Sequence, residues 1–256
     1  MPELVPSREE KVTWLHRTVS LRTMLGRAGI ALVTGGTERV LESKQCATGP
    51  ARSCVRCALL GEHDGLSDSM LEELVEVFAR YPVALLDVAR IERVVLCKRL
   101  DNNGQPGGLA DPEERVLYIN VQSLLKPGGY SIGYIAETAH HEVYHLFDIP
   151  AGKRSFDLEW DQLNANGFVY GSGRRGNFGD LRPFGFVNAY AATAADEDRA
   201  STFQFLMARG DELCTLAKDD PTLLAKARVV WRRVAAVTDP EFLRAAVSCA
   251  AVLEQR

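Results

Sequence analysis

The stretch His141-Glu142-Val143-Tyr144-His145 constrains this chain more than any other. Two histidines four residues apart project from one face of a helix, so both imidazoles can reach one metal ion. Glu142 then stands beside the open coordination position, where a carboxylate can take a proton from water. The surrounding residues read as helix, with Ser131 as N-cap and Pro150 stopping the helix near Ile149. Between them Ile135, Ala139, Val143 and Leu146 form the stripe of a helix packed on a core. His141, His145 and Asp148 follow a separate stripe, and His140 reads as a surface neighbour. Zinc suits this ligand set.

Catalytic zinc usually keeps three protein ligands. Asp161, Asp180, Asp196, Glu197 and Asp198 are downstream candidates for the third. The last three fall in the first turn of an expected helix capped by Thr193. Acids gather in first turns because they complement the helix dipole, and that tendency singles out none of them.

A resemblance separates them. The segment carrying Tyr190, Thr193, Glu197 and Phe203-Gln204-Phe205-Leu206-Met207 resembles the second active-site helix of anthrax lethal factor-like metallopeptidases, a group that includes the Pro-Pro endopeptidases. In that family a tyrosine precedes the glutamate ligand by seven residues, the spacing of Tyr190 and Glu197. The likeness extends over the HExxH helix and the strands before it, roughly residues 65–210. Trp160-Asp-Gln-Leu-Asn164 further resembles a stretch of bacterial zinc-binding metallopeptidases. The resemblance implies His141, His145 and Glu197 as metal ligands, Glu142 as general base and Tyr190 as donor to an oxyanion. This chain departs from the family in two places: Ser201 stands where a supporting glutamate is frequent, and Ala194 replaces a common asparagine.

Composition fits an enzyme. The 256 residues are 46% hydrophobic and 25% charged, ordinary for a globular protein able to bury a substantial core. A net charge of −4 gives no reason to expect nucleic acid as a partner. No apolar run approaches the ~20 residues that cross a bilayer, so no membrane partner is expected. The beginning lacks the layout of a signal peptide, which makes the cytoplasm the expected compartment, with export by a route that uses no cleaved signal as the alternative. In the cytoplasm, disulfides are not expected. Cys46, Cys54, Cys57, Cys97, Cys214 and Cys249 therefore read as free thiols, the last two as small core residues. The alternative is a structural zinc held by Cys46, Cys54, Cys57 and His63, suggested by the Cys54-x-x-Cys57 spacing.

Along the chain, helix is expected over 8–27 and from a capping box at Ser69-x-x-Glu72 to about Arg80. Strands are expected at 29–34, 93–97 and 116–121, with a short edge strand at Gly108–Ala110. Residues 43–66 read as loop or knuckle, and 151–187 as loop-rich, with Gly171–Gly179 matching neither a dinucleotide nor a Walker loop. Asp220-Pro221 and Asp239-Pro240 each offer an N-cap followed by proline at the first helical position. There is no internal repeat. The expected division is an N-terminal helical and cysteine-containing region, 1–64, and a catalytic domain, 65–256.

This element order is that of the zincin fold: α+β, a mixed sheet with its edge strand above the HExxH helix, and a helical C-terminal part. The expected activity is zinc-dependent endopeptidase action on a peptide or protein substrate, paired as an added strand along Gly108–Ala110. Gly107 and Gly108 would let that second backbone approach. Two alternatives stand beside it. One is a zinc hydrolase of a small substrate; peptide deformylases use an HExxH helix with an upstream cysteine ligand, but Cys97 lacks their surrounding motif. The other is a non-catalytic binding protein on the same scaffold, which has no need of Glu142. The oligomeric state is left open.

Overall fold

The computed structural model describes residues 8–35, 39–48, 54–61, 68–102, 104, 106–121, 133–148, 157–171 and 182–255. Its contacts cluster into two units, 1–81 with 90–142 and 82–89 with 143–256. The division falls inside one continuous helix, Tyr134–Asp148, which carries the HExxH residues.

The first unit is built on a six-stranded mixed sheet. Strands β1 (Ala31–Val33), β4 (Arg93–Asp101) and β6 (Val116–Asn120) run parallel. Strands β2 (Val40–Glu42), β3 (Arg56–Leu59) and β5 (Gly108–Asp111) join antiparallel, in the order β2-β3-β4-β6-β5. Central strands covered on both faces must be apolar throughout. Accordingly Val94, Val95, Leu96 and Cys97 of β4, and Val116, Leu117 and Ile119 of β6, are fully buried. Helices α1 (Arg8–Arg27) and α3 (Asp68–Arg80) pack on each other in this unit. The β5–β6 hairpin turns at Asp111, whose carboxylate accepts from the backbone N–H groups of Glu113 and Glu114, each at 3.0 Å.

The region 1–64, expected to stand apart, supplies β1, β2 and β3, which hydrogen-bond into the same sheet as β4. Residues 43–66, read as loop, contain β3 and a short helix, α2 (Gln45–Thr48). Ser69 does not cap α3, because the helix has already begun at Asp68.

The cysteines overturn the thiol expectation. All six are paired, as Cys46–Cys54, Cys57–Cys97 and Cys214–Cys249. Cys57 and Cys97 meet because β3 pairs with β4, an arrangement invisible at a separation of 40 residues. These pairings also rule out the four-ligand zinc knuckle, since Cys54 and Cys57 bond to different partners; His63 lies outside the described residues.

The second unit is helical. It contains α4 (Val83–Ala89), which the sequence reading did not anticipate, and α6 (Leu158–Asp161). Helices α7 (Ala195–Ala208), α8 (Gly210–Lys218) and α9 (Pro221–Ala235) pack against one another, and α9 also contacts α10 (Pro240–Arg244) and α11 (Ala250–Leu253). The Asp-Pro starts behave as expected: Asp220 accepts from Leu223 N–H and Asp239 from Glu241 N–H, both at 2.9 Å. Cys214 of α8 is bonded to Cys249 at the start of α11. Among the described residues no helix is long and apolar enough to cross a membrane. The whole is an α+β protein with a mixed sheet.

Candidate metal centre

The HExxH helix is α5, Tyr134–Asp148. Its expected apolar stripe is buried, with Ile135, Ala139, Val143 and Leu146 all at or below 5% exposure. Ser131, Ile149 and Pro150 lie outside the described residues. His140 is not the surface neighbour expected. It is buried, and its Nδ1 lies 2.5 Å from the hydroxyl of Tyr81. Burial, with a smaller contribution from Arg80, lowers its pKa to about 3, so its imidazole stays neutral.

His141 and Glu142 are also buried, and His145 is partly so. One helix turn separates the two histidines, and α7 brings a third group. The ligand atoms of His141, His145 and Glu197 all lie within 4.8 Å of one another. His145 Nε2 and Glu197 Oε2 are 3.4 Å apart. Tetrahedral zinc with bonds of about 2.0–2.1 Å sets its ligand atoms about 3.3 Å apart, so the donor set and this spacing fit the ion.

The three consecutive acids have separate surroundings. Asp198 is completely buried, and its Oδ2 meets Lys226 Nζ and the Tyr170 hydroxyl at 2.7 Å and Trp160 Nε1 at 3.1 Å. Burial works against both charges, raising the Asp198 pKa and lowering that of Lys226, and their mutual contact opposes it. Asp198 is therefore committed to the protein interior. Asp196 is not part of the metal-ligand cluster, Asp161 is exposed on α6, and Asp180 lies outside the described residues.

Helix α7 starts without the cap expected of Thr193. Ala194 is the N-cap, in extended conformation, and makes no side-chain cap. The Thr193 hydroxyl instead donates to the Tyr190 carbonyl at 2.7 Å, closing the 3-10 turn Ala191–Thr193. Asn188 supports that turn by accepting from Ala191 N–H at 2.8 Å. Tyr190 is 54% exposed and so is not a core tyrosine. Ser201, where the resembling family often has a glutamate, is fully buried, and its hydroxyl has no hydrogen-bond partner among the described residues.

The edge strand lies against Glu142. A Cβ placed on Gly108 would sit 2.6 Å from Thr138 Cγ2 and 2.7 Å from Glu142 Cγ. One on Gly107 would strike the Tyr134 hydroxyl. The two glycines thus make room for side chains of α5, which corrects the expectation that they admit a second backbone.

Sequence reasoning missed the polar framework behind α7. Trp160 and Asn164, noted only through a resemblance, converge on Tyr170: Trp160 Nε1 is 3.1 Å and Asn164 Nδ2 2.8 Å from its hydroxyl. The available signal was Lys226, a lone cation between Leu223 and Val230 on an otherwise apolar face. Also missed was a set of ion pairs. Arg199 Nε donates to Asp148, and Arg233 grips both oxygens of Asp157 at 2.6 and 2.9 Å. Burial opposes the charge of Arg199, but the adjacent Asp148 raises its pKa on balance. Comparison with protein families, curated proteins and solved structures gives no match to this chain.

Proposed function

We propose that this protein is a zinc-dependent endopeptidase on a zincin-like fold. The observation that carries the reading is the convergence of His141, His145 and Glu197, with 3.4 Å between His145 Nε2 and Glu197 Oε2. Those three residues would hold zinc, which supplies Lewis acidity toward water and a peptide carbonyl. Glu142 takes the proton of the attacking water as the new C–O bond forms, and returns it to the amine nitrogen as the C–N bond breaks. Tyr190 donates its hydroxyl to the oxyanion. The substrate pairs in extended form with β5, which lies at one end of the strand order.

The structure disfavours deformylase-like ligation, because Cys97 is fully buried and bonded to Cys57. The bridges also bear on the compartment. Three disulfides and no free thiol support maturation in an oxidising environment rather than the cytoplasm.

Three measurements test the function. Metal analysis should give about one zinc per chain, and a peptide library should be cleaved by the zinc-loaded protein but not after chelation. Glu142→Gln should retain zinc and the wild-type melting point while turnover drops at least ~100-fold. Normal turnover in that zinc-loaded variant would refute the general base.

A further inference from the structure

We propose that Arg199 is a positioning residue for the metal centre, holding the helix that carries Glu197 at a fixed offset from the helix that carries the histidines. The inference rests on the metal-centre reading above.

Asp148 is the last residue of α5, three positions after His145, and Arg199 is two positions after Glu197 on α7. Their ion pair therefore ties the two helices within a turn of the groups that must converge. The tie is sheltered, with the side chains of Arg199 and Asp148 only 4% and 12% exposed. It is also braced. Arg233 of α9 lies 3.5 Å from the other Asp148 oxygen and holds Asp157 bidentately, while Arg199 Nη1 reaches to 3.8 Å from Asp157. Two guanidinium groups and two carboxylates alternate, so the formal charges cancel.

A buried ion pair adds little net stability compared with a well-packed apolar pair. What it supplies is geometry, because a planar guanidinium fixes direction as well as distance. A metal centre requires that, since ligands must be held to within about 0.5 Å. Lysine at this position would keep the charge and lose the fixed direction of the Nε–H that meets Asp148.

The test compares zinc affinity, by competition with a chelator, in wild type, Arg199→Met, Arg199→Lys and Leu243→Ala. Leu243 is a fully buried residue of α10 outside this network, so its variant reports the effect of lost stability alone. All are read at a temperature where circular dichroism shows each protein folded. Arg199→Met should bind zinc about 10–100-fold more weakly, with Arg199→Lys between it and wild type. Leu243→Ala should keep its affinity whatever its melting point. The absorption bands of the cobalt-loaded protein should change in Arg199→Met and not in Leu243→Ala. Affinity in Arg199→Met within about twofold of wild type, or reduced no more than in Leu243→Ala, overturns the proposal. If Arg199→Met does not fold, Arg199→Lys decides: weaker zinc binding at an unchanged melting point supports the role, and unchanged binding overturns it. Wild type that binds no zinc refutes the metal centre itself, and this inference with it.

Discussion

Among three neighbouring acids, Asp198 is held by Lys226, Tyr170 and Trp160 inside the protein, which leaves Glu197 as the one facing His145. The same contrast between burial and exposure makes Tyr190 testable. The residue is 54% exposed, so Tyr190→Phe removes a hydroxyl without opening a cavity. If Tyr190 donates to the oxyanion, turnover should fall about 10²–10³-fold while the melting point holds. Unchanged turnover on the best library peptide would remove it from the mechanism. At this scale the sequence was informative wherever chemistry is local. His141, Glu142 and His145 share one helix, and periodicity alone places them. Glu197 was not separable from Asp196 and Asp198 by local rules, because the first-turn preference for acids is the same for all three. The resemblance selected Glu197, and the geometry brings that residue to His145. The cysteines failed for a related reason. Pairing depends on strand register, and register joins residues far apart in sequence.

At the scale of elements, β5 and α5 fit together through missing side chains. The sequence located the edge strand correctly but assigned its glycines to a substrate backbone, when the space they leave is filled by Tyr134, Thr138 and Glu142. Gly108→Ala should therefore force either β5 or Glu142 to move. The expected cost is about 1–3 kcal/mol in a denaturant titration, the scale of overpacking, together with a loss of turnover. Gly26→Ala in α1 is the counterpart, since nothing lies within 4 Å of a Cβ there. It should stabilise the protein by up to about 1 kcal/mol and leave turnover alone. Equal effects at the two positions would contradict the packing described. Helix starts show the same division between local and distant causes. Asp220 and Asp239 cap as read, because an Asp-Pro start is complete within four residues. Thr193 does not, because the preceding turn claims its hydroxyl.

For the molecule as a whole, two groups of interactions set the conditions under which it stays folded. The first is acid-sensitive. Burial tends to raise the pKa of Asp157, but the hydrogen bonds and charge of Arg233 outweigh it, and the net shift is downward. A carboxylate lowered in this way stabilises the fold above its unfolded pKa of about 3.9, and that contribution disappears as pH falls through the lower folded value. The melting-point gap between wild type and Asp157→Asn should accordingly be constant from pH 7 to about 5 and close below about 4. A gap that persists under stronger acid would place its origin elsewhere. The second group is redox-sensitive. The bridges span separations of 8, 40 and 35 residues. Chain-entropy arguments assign each about 2.5–4 kcal/mol, on the order of 10 kcal/mol together. A whole domain is stable by only about 5–15 kcal/mol. Two of the bridges constrain the sheet unit and one the helical unit, so neither unit escapes reduction. Thiol titration of the denatured protein should find no free cysteine, and its mass should be lower by two hydrogens per bridge. Treating the metal-free protein with a phosphine reductant should lower its melting point by about 20 °C or more, or unfold it outright. Using metal-free protein separates loss of the bridges from loss of zinc. A fully reduced chain that melts within a few degrees of the oxidised one would make the bridges incidental, and with them the case for an oxidising compartment.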